Sequence, residues 1–212
     1  MTEPEASMTW VAFDYGGVIC TPQPGADVAA LAAAVGVPVP DFQGPYWAYR
    51  LSYDRAELDG TTYWQKVAAA LGLSFPASQV AELIRLDIAS WLHLRDGTVT
   101  LLKDLAAAGY RLALLSNAPA DFAEVMAEQP VARFFEHLAF SCYLGSVKPE
   151  PECYGTVLAK LGARPADVVF IDDRPENVAG AAAVGIRGVH FTTPEAVRAA
   201  LAGHGILATL RG

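Results

Sequence analysis

The sequence FDYGGVI at residues 13–19 decides the fold, because it places a carboxylate and two glycines directly after a short apolar run. That run, residues 10–13, is typical of a buried strand that ends at Asp14. Polar residues follow apolar residues in the same way in LLSNAP, VKPEP and FIDDRPENV, at residues 114–119, 147–151 and 170–178. The carboxyl edge of a parallel sheet would gather all four segments, and open α/β folds bind ligands at that edge.

The rest of the chain extends this pattern into a doubly wound parallel α/β sheet. Short apolar runs bounded by polar or glycine-rich turns predict four further strands, at residues 111–115, 137–140, 168–171 and 188–191. Helical patterns accompany them, at residues 98–108, 120–128, 151–161 and 175–183. Alternating strands and helices with short connections favour a Rossmann-like core.

A segment without a convincing strand interrupts this alternation between residues 23 and 94. Three helices are predicted there, at residues 26–34, 61–71 and 77–92. We therefore expect an α/β core domain formed by residues 1–22 and 95–212, with a small helical domain, residues 23–94, inserted after the first strand. Its aromatic side chains could line a substrate pocket or form the core of the insertion: Tyr46, Trp47, Tyr49, Tyr53, Tyr63 and Trp64.

Composition and charge narrow the class of protein. The 212 residues are 53% hydrophobic and 18% charged, which indicates a globular chain. A formal net charge of −8 argues against a nucleic-acid partner, because phosphate backbones require clustered lysine and arginine. No apolar stretch reaches the roughly 18 to 20 residues of a membrane span, so we expect no membrane partner. Glu3 and Glu5 stand where a secretory signal would carry positive charge, which favours a cytoplasmic location.

Asp14 is a candidate nucleophile because Gly16 and Gly17 follow it in the loop. A carboxylate can attack a phosphoryl group if a cation neutralises it, and glycines let the ligand approach the loop closely. Taken alone, the segment is equally compatible with an aspartate that only closes a strand-to-loop turn.

Ser116, Asn117 and Lys148 are candidate anion-binding residues. Ser116 and Asn117 end the second predicted core strand before a helix, where a hydroxyl, an amide and backbone N–H groups form an anion-binding corner. The same residues would also serve as an ordinary helix cap. Lys148, directly before Pro149, could supply a point charge for both a phosphate and the nucleophile, or it could be a solvated loop residue.

Asp172 and Asp173 are adjacent acids at the end of a predicted buried strand. They would repel each other and Asp14 unless a positive charge lay among them, so a divalent cation is the simplest explanation. Mg²⁺ prefers oxygen ligands and is commonly held by one or two carboxylates plus substrate phosphate. Asn177 falls four residues after Asp173, on the same helix face, where it could support the metal site. A solvated acidic turn is the alternative.

These segments, in this order, resemble the motifs of the haloacid dehalogenase superfamily of aspartate-nucleophile hydrolases, from about residue 9 to about residue 189. The resemblance implies a Rossmann-like core that carries an inserted helical cap domain. It also implies that Asp14 is the catalytic nucleophile and Lys148 its cationic anchor, and that Ser116 and Asn117 bind the phosphate of the substrate.

The resemblance also implies a Mg²⁺ cofactor. In the family pattern the metal is bound by Asp14, by the backbone carbonyl of Gly16 and by Asp173. Asp172 lies beside these ligands, and Asn177 would support them from behind. The glycine at position 16 retains the carbonyl that this pattern requires.

Gly16 nevertheless departs from the pattern of most phosphatases of this superfamily, which have a second aspartate there as general acid and base. Losing such a group typically costs about 10² to 10⁴ in rate. The main expectation is a phosphatase of a small phosphorylated metabolite in which ordered water or a cap carboxylate transfers the proton. The candidate carboxylates are Asp54, Glu57, Asp59 and Asp87.

Two alternatives to a phosphatase stay open from the sequence. One is a fold that binds a phosphorylated ligand or partner without catalysis. The other is a 2-haloacid dehalogenase, whose halide leaving group needs no general acid. Asp172 and Asp173 argue against the dehalogenase, because those enzymes use no metal and lack the paired acids.

Overall fold

The computed structural model describes residues 9–207, so the acidic start at residues 1–8 lies outside the described residues. Five parallel strands form one sheet in the order β3-β2-β1-β4-β5. They are β1 (Trp10–Phe13), β2 (Arg111–Ser116), β3 (His137–Phe140), β4 (Val168–Asp172) and β5 (Arg187–His190). The predicted parallel α/β core is confirmed, and each predicted strand lies within one residue of the observed bounds.

Five helices fill the interval after β1: α1 (Gly25–Val35), α2 (Val39–Ala48), α3 (Arg50–Asp54), α4 (Gly60–Ala70) and α5 (Ala77–Ser90). The prediction of three helices was wrong, because α2 and α3 were missed. Pro38 precedes α2 and Pro40 lies in its first turn, where a missing backbone N–H costs little. Pro45 lies inside the same helix, so prolines that indicated a break instead belong to a helix.

The helical insertion encloses an apolar core of its own, separate from the cores on the sheet. Four of the six predicted aromatic side chains are buried in it: Tyr46, Tyr53, Tyr63 and Trp64. Trp47 is 51% exposed. The aromatic cluster therefore mainly stabilises the insertion, and Trp47 is available for another role.

Helices cover both faces of the sheet, because successive strand residues point to opposite faces. In β1, Val11 and Phe13 pack into one layer, and Trp10 and Ala12 into the other. The first layer contains α6 (Asp96–Ala107), α7 (Ala120–Ala127) and α11 (Pro194–Gly203), and the second contains α9 (Pro151–Leu161) and α10 (Pro175–Ala183). The remaining core elements are the short helix α8 (Ser141–Leu144) and the 3-10 helices Pro130–Phe134 and Pro165–Asp167.

The insertion is tied to the core beside the carboxyl edge of the sheet. Cys20 and Leu94, in the two connecting segments, form an antiparallel bridge. The hydroxyl of Tyr53 in α3 donates a hydrogen bond to Oδ2 of Asp121 in α7 at 2.6 Å. These contacts hold the helices next to the ends of β1 and β2. The division of the chain into a core domain and a cap domain stays a prediction.

Between residues 9 and 207, no single helix has both the length and the apolar composition needed to cross a membrane. One pair of consecutive helices, Gly25–Val35 with Val39–Ala48, meets these two criteria jointly, with a 90° bend between them.

Candidate active site

Asp14 directly follows β1 at the carboxyl edge of the sheet. Its backbone N–H donates to the carbonyl of Ile171 at 2.8 Å, which extends the contact between β1 and β4 by one residue. The residue is only 7% exposed, and its Oδ1 accepts a hydrogen bond from the N–H of Tyr15 at 2.7 Å. Burial raises the pKa of the Asp14 carboxyl to about 7, although the neighbouring Lys148 acts in the opposite direction.

The ammonium of Lys148 lies between two carboxylates. Its Nζ is 2.7 Å from Oδ1 of Asp14 and 2.7 Å from Oδ2 of Asp172. Burial alone would lower the pKa of Lys148, but the two carboxylates outweigh burial and raise it. Lys148 is therefore a buried cation beside the candidate nucleophile, and it is not a solvated loop residue.

Asp172 is fully buried and fixes this lysine from behind. Its Oδ1 accepts a hydrogen bond from the backbone N–H of Arg174 at 2.8 Å. The side-chain amide of Asn177 lies 3.0 Å from both carboxylate oxygens. Helical spacing suggested Asp173 as the neighbour of Asn177, but the amide instead supports Asp172.

Asp173 is half-buried and lines the cavity at the sheet edge. Ligand oxygens of Asp14, Asp172 and Asp173 all lie within 4.8 Å of one another. Burial raises the pKa of the Asp173 carboxyl, and the charge of Asp172 raises it further. The ammonium of Lys148 contacts two of these three close carboxylates, Asp14 and Asp172. This all-oxygen donor set fits a hard divalent cation such as Mg²⁺.

The loop after Asp14 is shaped around Asp173. Gly17 has a φ of +73°, and a Cβ at this position would lie 2.2 Å from Oδ2 of Asp173. Only a glycine combines this backbone conformation with this close approach. The loop and the carboxylate are therefore packed directly against each other.

Ser116 and Asn117 lie at the end of β2 and line the same cavity. Asn117 also forms a reciprocal pair of hydrogen bonds with the backbone of Lys148. Its Nδ2 donates to the Lys148 carbonyl at 3.0 Å, and its Oδ1 accepts from the Lys148 N–H at 2.9 Å. Asn117 thus positions the loop that carries the lysine, a contact that the sequence did not predict.

The side chain of Trp91 lies next to Gly16. A Cβ added at Gly16 would be 3.7 Å from Cζ3 of the Trp91 ring, which is an ordinary van der Waals contact. An apolar ring therefore borders position 16, where the sequence lacks the second acid expected of a phosphatase.

These groups open into a cavity of about 460 Å³ between the sheet edge and the helical insertion. The structure brings together Asp14, Gly16, Ser116, Asn117, Lys148, Asp173 and Asn177 in its lining, with Asp172 directly behind Lys148. Residues that the sequence did not predict for the site also line it: Pro22, Arg50, Leu51, Trp91, Phe122 and Arg174.

Of the four candidate cap carboxylates, only Asp54 lines this cavity among the described residues. Asp59 caps α4, because its Oδ1 accepts a hydrogen bond from the N–H of Thr62 at 2.7 Å. Glu57 lies 3.4 Å from the guanidinium of Arg55. Burial raises the pKa of the Asp54 carboxyl to about 6, against the opposing effect of Arg50.

Arg50 joins Asp54 and Asp87 in a second buried charge cluster. Its Nε lies 2.9 Å from Oδ1 of Asp54, and its Nη1 lies 2.9 Å from Oδ2 of Asp87. The Tyr46 hydroxyl donates to Oδ1 of Asp87 at 2.6 Å and accepts from Nη1 of Arg50 at 2.9 Å. Sequence reasoning missed Arg50, because an arginine in a helix is usually solvated. The two acids at positions 54 and 87 were the sequence signal that could have indicated a buried cation in the insertion.

Comparison with known proteins identifies related sequences. The family model of haloacid dehalogenase-like hydrolases matches residues 8–185. A sesquiterpene phosphatase of Aspergillus oryzae is 28% identical over 181 residues, which cover 85% of this chain and 88% of the relative. A chloroplast flavin mononucleotide hydrolase of Arabidopsis thaliana is 33% identical over 111 residues, which cover 52% of this chain and 45% of the relative.

Solved structures share the fold. A haloacid dehalogenase family enzyme of Bacteroides thetaiotaomicron, in complex with magnesium and inorganic phosphate, has a TM-score of 0.71 at 19% identity, covering 87% of this chain and 94% of that one. An L-2-haloacid dehalogenase of Xanthobacter autotrophicus, with chloropropionic acid covalently bound, has a TM-score of 0.69 at 21% identity, covering 94% and 84%. At these identities the likeness concerns the fold alone.

Proposed function

This chain belongs to the haloacid dehalogenase-like hydrolase family, and from that premise we propose that it is a Mg²⁺-dependent phosphatase of a small phosphorylated metabolite. One observation carries the proposal: a buried carboxylate, Asp14, is paired with Lys148 and lies beside Asp173 at the floor of a cavity. The sequence relatives named as a phosphatase and a mononucleotide hydrolase support the same reaction class.

In the proposed reaction, a carboxylate oxygen of Asp14 attacks the phosphorus atom of the ester. The bond between phosphorus and the leaving oxygen breaks, and the leaving oxygen takes its proton from water, because Gly16 offers none. Water then attacks the phosphorus of the aspartyl-phosphate, which releases inorganic phosphate and regenerates Asp14. Lys148 opposes the effect of burial and so favours the ionised form of the nucleophile.

The residues that would hold Mg²⁺ are Asp14, Gly16 through its backbone carbonyl, and Asp173. When bound, the metal supplies positive charge for the oxygens of the transferring phosphoryl group. Asp172 and Asn177 hold Lys148 in place behind these groups. Ser116 and the region around Asn117 offer a hydroxyl and amides to the phosphate oxygens.

The proposal is tested by a panel of phosphomonoesters, assayed with Mg²⁺ and with a chelator, for wild type and Asp14→Asn. We expect Mg²⁺-dependent release of phosphate by wild type and loss of activity in Asp14→Asn. Circular dichroism should show that Asp14→Asn remains folded. Asn is nearly isosteric with Asp, so the loss would report on the nucleophile and not on packing.

The same panel separates the alternatives when it includes a 2-haloacid. Release of halide without any release of phosphate would replace the phosphatase with a dehalogenase. If neither ester nor haloacid turns over, but a phosphorylated metabolite raises the melting temperature, a binding protein replaces both.

A further inference from the structure

The cavity wall that the helical insertion contributes is apolar and open. Trp47 is 51% exposed and Leu51 is 56% exposed, and both line the cavity above the candidate catalytic groups. Exposed large apolar side chains that gather at one site indicate a contact surface for a ligand or partner. Trp91 meets the Trp47 ring edge-on, with centroids 6.5 Å apart and an interplanar angle of 81°. Phe122 adds an apolar side chain from α7.

Each cationic side chain in the described lining of this cavity already contacts a carboxylate. Three cationic side chains line it, namely Arg50, Lys148 and Arg174. Arg50 is held between Asp54 and Asp87, and Lys148 between Asp14 and Asp172. Arg174, at the rim, is paired with Glu176 at 2.5 Å. A second anionic group on a substrate would therefore meet no unpaired cation in the described lining and would lie near the carboxylate of Asp54.

Position 16 makes the region next to the floor apolar as well. A Cβ at Gly16 would lie 3.7 Å from Cζ3 of the Trp91 ring, so aromatic carbons border the cavity on this side of position 16. Placing a charged or strongly polar leaving group against this ring would remove its water without replacing the hydrogen bonds.

We propose that the substrate is a phosphate monoester of an uncharged, largely apolar alcohol, whose carbon skeleton lies between Trp47 and Leu51 on the insertion and Trp91 next to the floor. This inference rests on the proposed function for the identity of the phosphate end. It assigns substrate selection to the exposed apolar side chains of α2 and α3.

The test compares two esters of primary alcohols, phenethyl phosphate and phosphoglycolate, with saturating Mg²⁺. We expect kcat/KM for phenethyl phosphate to exceed that for phosphoglycolate by at least about tenfold, because burial of the phenyl ring is favourable and the carboxylate has no partner. A kcat/KM for phosphoglycolate that equals or exceeds that for phenethyl phosphate would overturn the inference and leave the phosphatase in place.

Variants of the insertion test whether Trp47 and Leu51 select the apolar ester. Trp47→Ala and Leu51→Ala should each lower kcat/KM for phenethyl phosphate by about tenfold, with a much smaller effect on phosphoglycolate. Leu73→Ala is the matched control, because Leu73 is also an exposed residue of the insertion, at 41%, but does not line the cavity. Equal losses for both esters, or a loss in Leu73→Ala of the same size, would contradict the assignment.

Binding measurements with two phosphonates distinguish an error in the proposed substrate from an error in the proposed phosphatase activity. Phenethylphosphonate and phosphonopropionate cannot be hydrolysed as esters, and their affinities are measured by calorimetry in Mg²⁺. If no ester turns over, the phosphatase is wrong, yet tighter binding of phenethylphosphonate in wild type than in Leu51→Ala still supports the apolar site. Equal affinity for the two phosphonates overturns it.

Discussion

Two buried cations border the same cavity, and their surroundings differ. Lys148 lies between Asp14 and Asp172, and Arg50 lies between two carboxylates of the insertion. The sheet-edge cluster contains a third carboxylate, Asp173, which lines the cavity, so three carboxylates face one ammonium there, against two for the guanidinium of Arg50.

The Arg50 cluster is instead completed from within the insertion. The Tyr46 hydroxyl lies at its centre, donating to Asp87 and accepting from Arg50, and Gln23 donates to the same hydroxyl at 3.1 Å. Ser90 then donates to the backbone carbonyl of Asp87 at 2.6 Å. A buried triad of charges therefore does not by itself mark a catalytic site. We propose that the additional carboxylate at the cavity, Asp173, distinguishes the catalytic cluster from the Arg50 cluster.

Removing the two cations should give the largest contrast. Lys148→Met and Arg50→Met each leave two carboxylates buried without their partner, so each should lose about 3 to 5 kcal/mol of stability in urea unfolding. Lys148→Met should also lower kcat by about 10³-fold or more, because the lysine carries charge next to the transferring phosphoryl group. Arg50→Met should change kcat by less than about tenfold. Similar losses of kcat in both variants would erase the proposed difference between the clusters.

Removing one carboxylate from each cluster should separate them by metal affinity. Asp173→Asn should weaken Mg²⁺ binding in calorimetry by about 100-fold, since a hard cation site loses one of its two carboxylates. Asn177→Ala should weaken it by about tenfold, because its amide acts only through Asp172. Asp87→Asn, in the insertion, is the control and should bind Mg²⁺ like wild type. Unchanged affinity in Asp173→Asn would show that the acidic group is not a metal site.

Placing an aspartate at position 16 tests the missing proton donor. A Cβ fits there at 3.7 Å from Trp91, so Gly16→Asp should fold. Wild-type rates should fall steeply as the pKa of the leaving alcohol rises, and the variant should recover part of the about 10² to 10⁴ that a positioned acid supplies, chiefly for alkyl esters. Rates on a series of aryl and alkyl phosphates measure the slope. The same slope in both proteins would mean that another residue already donates the proton.

In the metal-free protein, the pH dependence of the free energy of unfolding should distinguish the Lys148 cluster from the Arg50 cluster. The pKa of Asp14 is raised to about 7 and that of Asp54 to about 6, both above their values in an unfolded chain. The folded state therefore binds protons more tightly. Its stability falls as pH rises from about 4 to each of these values, by up to about 1.4 kcal/mol per pH unit for each group, and levels off above them. Between pH 6 and 7 the fall should come from Asp14.

The measurement is urea unfolding of wild type, Asp14→Asn and Asp54→Asn in chelator at several pH values. Asp14→Asn should flatten the curve above pH 6, and Asp54→Asn should flatten it only below. Adding Mg²⁺ at pH 7 should restore stability to wild type, since a ligand of the folded state stabilises it. Parallel curves for all three proteins would contradict the assigned pKa values.

The sheet was predictable because its signal is local. Each of its strands is a short apolar run bounded by turn residues, as in WVAF before Asp14, and parallel topology then follows from the intervening helices. The carboxyl-edge residues were predictable for the same reason, because strand ends fix their location. Helices α2 and α3 were not predictable, since the prolines that end most helices here occupy the start and interior of one.

The pairing of side chains across the site could not be predicted from the sequence. Nothing local indicates that Asn177 supports Asp172 and not Asp173, or that Arg50 is buried between two acids. Such pairings depend on which helix faces approach each other, and that is decided by packing over the whole chain. The exposure of Trp47 and Leu51 to the cavity was not predictable either, because it depends on how the insertion packs against the sheet edge.

The most direct test of the account is to trap the covalent intermediate. Wild type and Asp14→Asn are each mixed with Mg²⁺ and a phosphomonoester that the wild type hydrolyses. The reactions are quenched in acid during turnover, and the proteins are digested and examined by mass spectrometry. We expect one added phosphoryl group on the wild-type peptide that contains Asp14, and none in Asp14→Asn. Continued phosphate release with no phosphoryl group on Asp14, or with the group on another residue, would contradict it.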